Sequence, residues 1–290
     1  MMNNDYILEV KHLTKIYPSF KLNDISFNLK RNKIMGFIGR NGAGKTTTMK
    51  AIYNLIKIDG GEILYCGENI LENEEKNKNE IGLLFGGLSF YLNKKVKAIT
   101  DVTKRFYKEF DYDLYQRWIS FFDIDENKKI KELSNGMRVK YNLAIALSHN
   151  AKILLLDEPT SGLDPISRDE ILDCFNQISS KENVTILFST HVISDLDKIA
   201  DDITYIKEGK IIYTGDIFSF KNDYLKVIGQ NIDENLKEKV GHYRKKFDTF
   251  EGIIKKSDAQ LFLNYKLEEA TLEDIMLFIE RGHEDEKFII

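Results

Sequence analysis

The sequence predicts an α/β fold organised around a mainly parallel sheet. Three apolar runs of strand length each end in residues that carry chemistry, and these runs are 34–38, 153–156 and 184–188. A helical pattern precedes the second run, and another separates it from the third. Alternation of this kind is typical of parallel sheets that bind their ligands at the carboxyl ends of the strands.

Before the first apolar run, two segments show strand-like alternation. They are Tyr6–Val10 and Ile25–Leu29, and they predict an antiparallel β subdomain at the N-terminus. Tyr17 lies between them, in the sequence Lys-Ile-Tyr-Pro. Its ring could stack on a nucleotide base or cover the core at a strand end, and the local sequence leaves both alternatives open.

The first apolar run leads into a segment that matches the phosphate-loop (P-loop) pattern GxxxxGK[ST] without a mismatch. Glycines let successive N–H groups turn toward an anion, and the following helix N-terminus adds donors and its dipole. The residues expected to bind nucleotide phosphates are Gly39, Arg40, Asn41, Gly42, Ala43, Gly44, Lys45, Thr46 and Thr47. Lys45 is expected to reach the β- and γ-phosphates, and the Thr46 hydroxyl to hold Mg²⁺.

The middle of the chain is less informative about chemistry. Residues 60–67 predict a turn and a strand, and the very polar stretch 72–80 predicts a solvated loop or an exposed helix surface. A helical region from about residue 99 to 122 carries aromatic residues at three- and four-residue steps. We predict that this stripe belongs to the core; its members are Phe106, Tyr107, Phe110, Tyr115, Trp118, Phe121 and Phe122.

The second apolar run ends in the acidic pair Asp157-Glu158. A carboxylate at the end of such a strand complements a phosphate loop, because it can hold Mg²⁺ opposite Thr46. Glu158 can then polarise the attacking water. The alternative for the pair is a strand-end cap with no catalytic role.

Composition limits the class of protein. The chain has 290 residues, of which 42% are hydrophobic and 30% charged, as in an ordinary soluble globular protein. Its formal net charge of -4 gives no case for nucleic acid as a partner. We expect no signal peptide and no membrane span, because the N-terminus lacks an apolar core and no apolar run is long enough.

The last third of the chain changes pattern. Short strands at 203–206 and 211–213 surround a hairpin turn, and the segment from about residue 220 predicts a small α/β annex that ends in a helix near 272–281. We predict an ATP-binding domain over 1–219, with a helical subdomain at about 87–150, and a C-terminal accessory domain over 220–290.

Taken together, these motifs resemble the ATP-binding subunits of ABC transporters over about residues 6–219. The likeness rests on the phosphate loop, the signature Leu-Ser-Asn-Gly-Met at 133–137, the strand with Asp157-Glu158, the Ser-Gly-Leu-Asp loop at 161–164 and His191, which occur in that family's order and approximate spacing. The resemblance implies a P-loop NTPase core with a helical signature subdomain. It also implies ATP and Mg²⁺ as ligands.

The resemblance implies roles for individual residues. Tyr17 looks like the aromatic that stacks on adenine, Asp157 like a magnesium carboxylate, and Glu158 like the general base. His191 looks like the switch histidine that contacts the γ-phosphate, although a lone histidine at a strand end is otherwise usually structural. Lys45 matches the family's phosphate-binding lysine.

The signature implies a dimer. Ser134 and Gly136 match residues that close over the ATP held by the opposite subunit, and a hydroxyl beside helix N-terminal amides makes a reasonable second anion site. Two ATP molecules would then be held head to tail between two copies. Asp164 lies in the loop that crosses between the sites, and it also suits an N-cap before Pro165.

Two departures from the family pattern are present. Asn135 and Met137 stand where the family usually has Gly and Gln, and Gly86 stands at the usual glutamine that touches magnesium and the attacking water. No Gln, Glu or Asp occurs between Leu83 and Asn93 to replace it. We predict that hydrolysis persists, because the remaining catalytic residues are present, with a coupling to the transport partner that is either looser or mediated by water.

The leading hypothesis is therefore an ATPase subunit, peripheral on the cytoplasmic face of the membrane, that drives a separate permease and is of the exporter type. The permease is expected to contact residues 85–96 together with the aromatic helical region. Two alternatives stay open: a soluble ABC ATPase acting as a mechanical clamp, and a nucleotide-gated regulatory module without transport.

Overall fold

A computed structural model of the protein describes residues 5–85, 91–246 and 248–281. The chain forms two compact units, Met1–Thr214 and Gly215–Ile290. The strands of the first unit are, in chain order, β1 (Tyr6–Tyr17), β2 (Phe20–Lys30), β3 (Ile34–Ile38), β4 (Gly60–Tyr65), β5 (Glu68–Asn69), β6 (Ile81–Phe85), β7 (Ile153–Asp157), β8 (Thr185–Thr190), β9 (Asp202–Lys207) and β10 (Lys210–Asp216). Its helices are α1 (Lys45–Ile52), α2 (Glu74–Asn79), α3 (Val96–Thr103), α4 (Tyr112–Phe121), α5 (Asn135–Ser148), α6 (Pro165–Lys181) and α7 (Ile193–Ile199).

The central sheet has the strand order β10-β9-β3-β8-β7-β6. Strand β3 is parallel to both β8 and β9, and β7 is parallel to both β6 and β8, so the predicted parallel core is confirmed. Every residue of β3, β7 and β8 is buried, as expected of strands covered on both faces. The carboxyl ends of these three strands meet at one edge, where Ile38 pairs with Thr190 and Asp157 with Ser189.

The predicted antiparallel N-terminal sheet is also present, with the order β2-β1-β4-β5. Its strands are longer than the sequence indicated: β1 continues to Tyr17, and β2 already begins at Phe20. Side chains of this sheet, such as Leu22 and Ile25, share one buried cluster with Phe37 of β3 and Leu155 of β7. The antiparallel sheet therefore packs directly against the parallel core.

The prediction that the whole aromatic stripe is core is wrong for part of it. Tyr115 and Phe122 are buried, but Phe106 is 76% exposed and Phe121 is 64% exposed. For Phe106 the reason is that the region is not one helix: α3 ends at Thr103, a short 3₁₀ turn that contains Phe106 follows, and α4 begins anew after Asp111, which caps it. Phe121 lies in α4 with Tyr115, but a separation of six residues places the two side chains on different sides of a helix. Residues on separate helices do not share one face, whatever their spacing.

The second unit, described by itself, is the predicted mixed α/β annex. Its elements are α8 (Ile217–Asn222), β11 (Tyr224–Gly229), α9 (Glu234–Lys237), β12 (Gly241–Lys246), β13 (Thr249–Lys255), β14 (Lys266–Glu269) and α10 (Leu272–Arg281). The strands form an antiparallel sheet in the order β12-β13-β11-β14 around buried Val227, Phe250 and Phe262. The domain boundary at residue 219 stays a prediction. Across the described ranges, no helix combines the length and apolar character that a bilayer span requires.

Candidate active site

The loop between β3 and α1 has a conformation that strongly favours glycine at its key positions. Gly42 and Gly44 have φ values of 81° and 118°, in the left-handed region. A Cβ on Gly44 would lie 2.5 Å from Leu22 and 3.0 Å from Phe20, and one on Gly39 would collide with the backbone oxygen of Ile206. The loop backbone therefore lies directly against β2 and β9. The first-turn amides of α1 have no acceptor within the helix and are available to an anion.

The turn between β9 and β10 fixes the same loop from another side. The Gly209 amide donates to the Ala43 carbonyl at 3.0 Å, and the Asn23 amide donates to the Gly209 carbonyl at 2.8 Å. The turn thus holds the loop through one backbone hydrogen bond and is itself held by a backbone hydrogen bond from β2. Neither contact is visible in the loop's own sequence.

Lys45, at the start of α1, is only 5% exposed. Its ammonium group donates to the carbonyl oxygens of Gly39 at 2.7 Å and Arg40 at 3.3 Å, and it lies 3.8 Å from a Glu158 carboxylate oxygen. Burial lowers the pKa of Lys45, while Glu158 and Asp157 act in the opposite direction. The predicted phosphate-binding cation therefore lies at the centre of the loop.

The two residues predicted to hold Mg²⁺ are in direct contact. The Thr46 hydroxyl donates to Oδ2 of Asp157 at 2.7 Å, and the carboxylate is buried at 8% exposure. A hydroxyl and a carboxylate are the hard oxygen donors that Mg²⁺ prefers. Their convergence beside a glycine cradle that a Cβ would fill fits a Mg²⁺–nucleotide ligand.

Ser189 holds both acidic residues, and the sequence reasoning missed it. Its hydroxyl donates to Oδ1 of Asp157 at 2.6 Å and accepts the Glu158 amide at 2.9 Å. The side chain is fully buried at the end of β8, in register with Asp157. The signal available in the sequence was a hydroxyl residue two positions before His191, but its meaning depends on the strand register.

Glu158 has a strained backbone, with a φ of 50° for a residue other than glycine. The backbone amide of Glu158 donates to both the hydroxyl and the carbonyl oxygen of Ser189, and these two hydrogen bonds hold the strained conformation in place. One carboxylate oxygen lies 3.3 Å from Nδ1 of His191, and the other faces Lys45. The structure thus brings the three predicted catalytic residues Lys45, Glu158 and His191 together.

A second unpredicted contact lies behind this cluster. The Thr160 hydroxyl donates to the Asp195 carboxylate at 2.7 Å, and each of the two residues is 1% exposed. Thr160 follows Glu158 by two positions, and Asp195 lies in the first turn of α7, just after His191. The buried bond therefore connects the loop that carries Glu158 to the helix that follows His191.

The structure does not join Ser134 or Gly136 of the signature to this cluster. Ser134 is exposed and caps α5 by accepting the Met137 amide at 3.1 Å, and Gly136 lies against Ser167 of α6. Asp164 caps α6, as the sequence predicted, by accepting hydrogen bonds from the amides of Ile166 and Ser167. The hydrogen bonds from Ser167 lower the pKa of Asp164. Within the described ranges, no hydrogen bond or ion pair links Ser134, Gly136 or Asp164 to the catalytic cluster.

Tyr17 and Gly86 complete the set of predicted residues. The Tyr17 ring is 38% exposed, with the Lys15 ammonium 5.5 Å from its centre. It pairs with Phe20, whose ring lies beside Gly44, so the aromatic is near the phosphate loop. Gly86 and Phe90 lie outside the described residues.

The chain matches a known family model and several curated relatives. The model described as ABC transporter matches residues 22–161. The uncharacterized ABC transporter ATP-binding protein YhcH of Bacillus subtilis (strain 168) is 33% identical over 238 residues, covering 79% of this chain and 73% of YhcH. The bacitracin transport ATP-binding protein BcrA of Bacillus licheniformis is 34% identical, covering 71% and 68%. The lantibiotic transport ATP-binding protein SrtF of Streptococcus pyogenes is also 34% identical, covering 71% and 89%.

Known structures show the same fold. cbiO1 from Clostridium perfringens, described as part of the ABC transporter complex cbiONQ, is 25% identical with a TM-score of 0.60, covering 74% of this chain and 91% of cbiO1. The ATP-binding cassette MJ0796, in a dimeric post-hydrolysis state bound to ADP and Pi, is 20% identical with a TM-score of 0.64, covering 72% and 98%.

Proposed function

Starting from the finding that the chain belongs to the ABC transporter family of ATP-binding proteins, we propose that it works as a dimer around two ATP molecules and drives a separate membrane permease, as an exporter. Members of this family are ATPases, and so is this protein. The dimer, the permease and the direction of transport are the proposal. We also propose that ATP hydrolysis by this protein requires Mg²⁺.

One observation carries the proposal of a dimer. Lys45, Glu158 and His191 converge at a single sheet edge, whereas Ser134 is exposed at the start of α5 and has no described link to them. In this family, a complete ATP site needs both the phosphate-loop cluster and the signature residues. A second copy, placed head to tail, would supply its Ser134 and Gly136 to the ATP bound at the first.

We propose a step in hydrolysis for each residue of the site. Lys45 neutralises charge on the β- and γ-phosphates, and the glycine cradle with Thr47 binds them through backbone amides. Thr46 and Asp157 would hold Mg²⁺, which supplies further charge neutralisation when bound. Glu158 accepts a proton from the attacking water, and His191, within 3.3 Å of that carboxylate, orients it and contacts the γ-phosphate.

The proposal of export rests on the names of two relatives and on an exposed surface. BcrA and SrtF are named for bacitracin and lantibiotic transport. Tyr91, Phe106 and Phe121 are 70%, 76% and 64% exposed, which is unusual for large aromatic residues and suits contact with another protein. We propose that residues 91–96 and this aromatic region contact the permease, which would hold the protein at the inner face of the membrane.

A Glu158→Gln variant tests the proposal. Without its general base the variant should bind ATP, hydrolyse it at least about 100-fold more slowly and form a stable ATP-dependent dimer, measured by light scattering. The same variant, isolated from membranes with ATP, should retain a multispanning protein identified by mass spectrometry. Recovery of ribosomes instead would favour the soluble clamp, and an ATP-bound monomer would contradict the dimer.

A further inference from the structure

The tip of the hairpin formed by β1 and β2 carries Tyr17 beyond the end of the neighbouring strand β4. The pairing of β1 with β4 ends at Thr14, which lies opposite Gly60, the first residue of β4. The last residues of β1 continue along β2, where Tyr17 is opposite Phe20. A two-stranded hairpin by itself is only marginally stable in water. A further contact is therefore needed to hold the rings of the tip in one position.

Asp59, the residue before β4, supplies that contact. Its Oδ2 accepts the Ile16 amide at 2.6 Å, and its own amide donates to the Thr14 carbonyl oxygen at 2.8 Å. The carboxylate thus accepts a hydrogen bond that a longer β4 would otherwise accept. Because β1 lies between β2 and β4 in the sheet, Asp59 holds the tip on the side opposite β2.

Lys15 connects the same carboxylate to the Tyr17 ring. Its ammonium group lies 3.3 Å from Oδ1 and 3.2 Å from Oδ2 of Asp59, and it lies over the Tyr17 ring, 5.5 Å from the centroid. That distance is within the range of a cation–π interaction. The hydrogen bonds from the Ile16 amide and the Lys15 ammonium lower the pKa of Asp59, so the carboxylate is ionised at neutral pH. Tyr17 remains 38% exposed, which leaves ring surface for a base to stack on.

The other strand of the tip contacts the phosphate loop. Phe20, the partner of Tyr17, has its Cζ atom 3.0 Å from the position that a Cβ on Gly44 would occupy. The tip is therefore held on both sides, with β1 fixed by Asp59 and β2 packed on the loop that is proposed to bind the phosphates. A base attached to those phosphates would meet a ring whose position is set before the nucleotide binds.

On the basis of the proposed function, in which the phosphate loop binds ATP, we propose that Asp59 is a positioning residue for nucleotide binding, which holds the Tyr17 ring where it stacks on the base. Asp59 itself does not have to touch the nucleotide. Stacking depends on the offset and the distance between two rings, so a mobile tip would bind the base more weakly. The contacts that bind the phosphates would be unchanged.

Two ligands separate these two parts of the nucleotide: AMP-PNP, an analogue of ATP that resists hydrolysis, and inorganic tripolyphosphate, which has no base. Isothermal titration calorimetry on the full chain with Mg²⁺ gives the Kd of each. Asp59→Ala should bind AMP-PNP at least about threefold more weakly, because the tip loses its hydrogen bonds, and tripolyphosphate with unchanged affinity. Asp59→Asn keeps an oxygen that can accept the Ile16 amide and should lose less affinity for AMP-PNP.

Asp201 offers a matched control. Its carboxylate accepts the Ile34 amide at 2.9 Å and the Lys33 ammonium at 2.8 Å, and its side chain is 37% exposed, as is that of Asp59. These contacts hold the first residue of β3, at the end opposite the phosphate loop. Asp201→Ala should therefore leave the ratio of the two Kd values as it is in the wild type.

A double-mutant cycle shows whether Asp59 acts through Tyr17. Tyr17→Ala alone should weaken AMP-PNP binding at least about fivefold, the lower end of the effect of base–aromatic stacking, and adding Asp59→Ala should cause no further loss. Additive losses, an equal loss of affinity for tripolyphosphate, or wild-type affinity of either single variant for AMP-PNP would each overturn the proposal. Failure of the proposed function would look different, since a wild-type chain that bound neither ligand would contradict ATP binding itself and this proposal with it.

Discussion

The hydroxyl of Ser189 lies 2.6 Å from Oδ1 of Asp157, while Oδ2 of the same carboxylate accepts the hydroxyl of Thr46. Both oxygens of Asp157 are therefore oriented before any ligand binds. Ser189 also accepts the amide of Glu158, so one hydroxyl positions the proposed magnesium ligand and the proposed general base together.

Replacing Ser189 by Ala should lower kcat for ATP hydrolysis by about 10- to 100-fold, the usual effect of removing a group that orients a metal ligand. The Mg²⁺ concentration for half-maximal activity should rise, whereas ATP binding in the absence of Mg²⁺ should be little changed. Ser189→Thr keeps the hydroxyl and should restore most activity. Steady-state ATPase assays across a Mg²⁺ titration measure both effects, and equal loss in the Ala and Thr variants would show that only packing matters.

Gly44→Ala should destabilise the protein by about 2–4 kcal/mol, because it combines an unfavourable left-handed backbone with overlap onto Leu22. Gly67→Ala is a matched control: Gly67 has a φ of 83°, and a Cβ there would meet nothing within 4 Å. That control should lose only about 1 kcal/mol. Urea denaturation followed by circular dichroism gives both values, and similar losses would contradict the packing argument.

Thr160→Val should destabilise the fold by about 1–3 kcal/mol, because it leaves the buried Asp195 carboxylate without its hydroxyl partner. Thr160→Ser retains the donor and should lose less than half as much. If the bond also positions Glu158 relative to His191, the Val variant should show reduced kcat even at temperatures where it is fully folded. Thermal unfolding and ATPase assays on the two variants provide the comparison.

Stability should fall as the pH is lowered through the region below 6.5, because of His149. Its pKa is lowered by burial, so between the folded value and the ordinary 6.5 the unfolded chain carries a proton that the folded chain lacks. The free energy of unfolding therefore decreases with falling pH across this window. His149→Asn should remove that part of the slope, which urea titrations at a series of pH values between 5 and 8 would record; an identical slope in the variant would exclude His149 as its source.

The sequence predicted those parts of the fold and site that depend on short segments. The phosphate loop, the buried strand that delivers Asp157 and the helix cap at Asp164 are each encoded within a few adjacent residues, and the structure has all three. The alternation of strands and helices likewise predicted that most strands of the central sheet pair in parallel.

Features that depend on register or on distant packing were not predictable in this way. Ser189 meets Asp157 only because β7 and β8 pair in one particular register, and Thr160 meets Asp195 across 35 residues of chain. The aromatic stripe was misassigned because spacing alone does not reveal that a helix stops at Thr103 and another begins at Tyr112.

The backbone contacts around Ala43 and Gly44 have a thermodynamic consequence for ligand binding. Leu22, Phe20 and Gly209 hold this loop in place through packing and a backbone hydrogen bond, so its conformational entropy is lost when the protein folds. Ordering a mobile backbone costs about 1–2 kcal/mol per residue, and a nucleotide that meets a preorganised loop does not have to supply that free energy. Substitutions on β2 that loosen the loop should therefore weaken nucleotide affinity, although β2 need not touch the nucleotide.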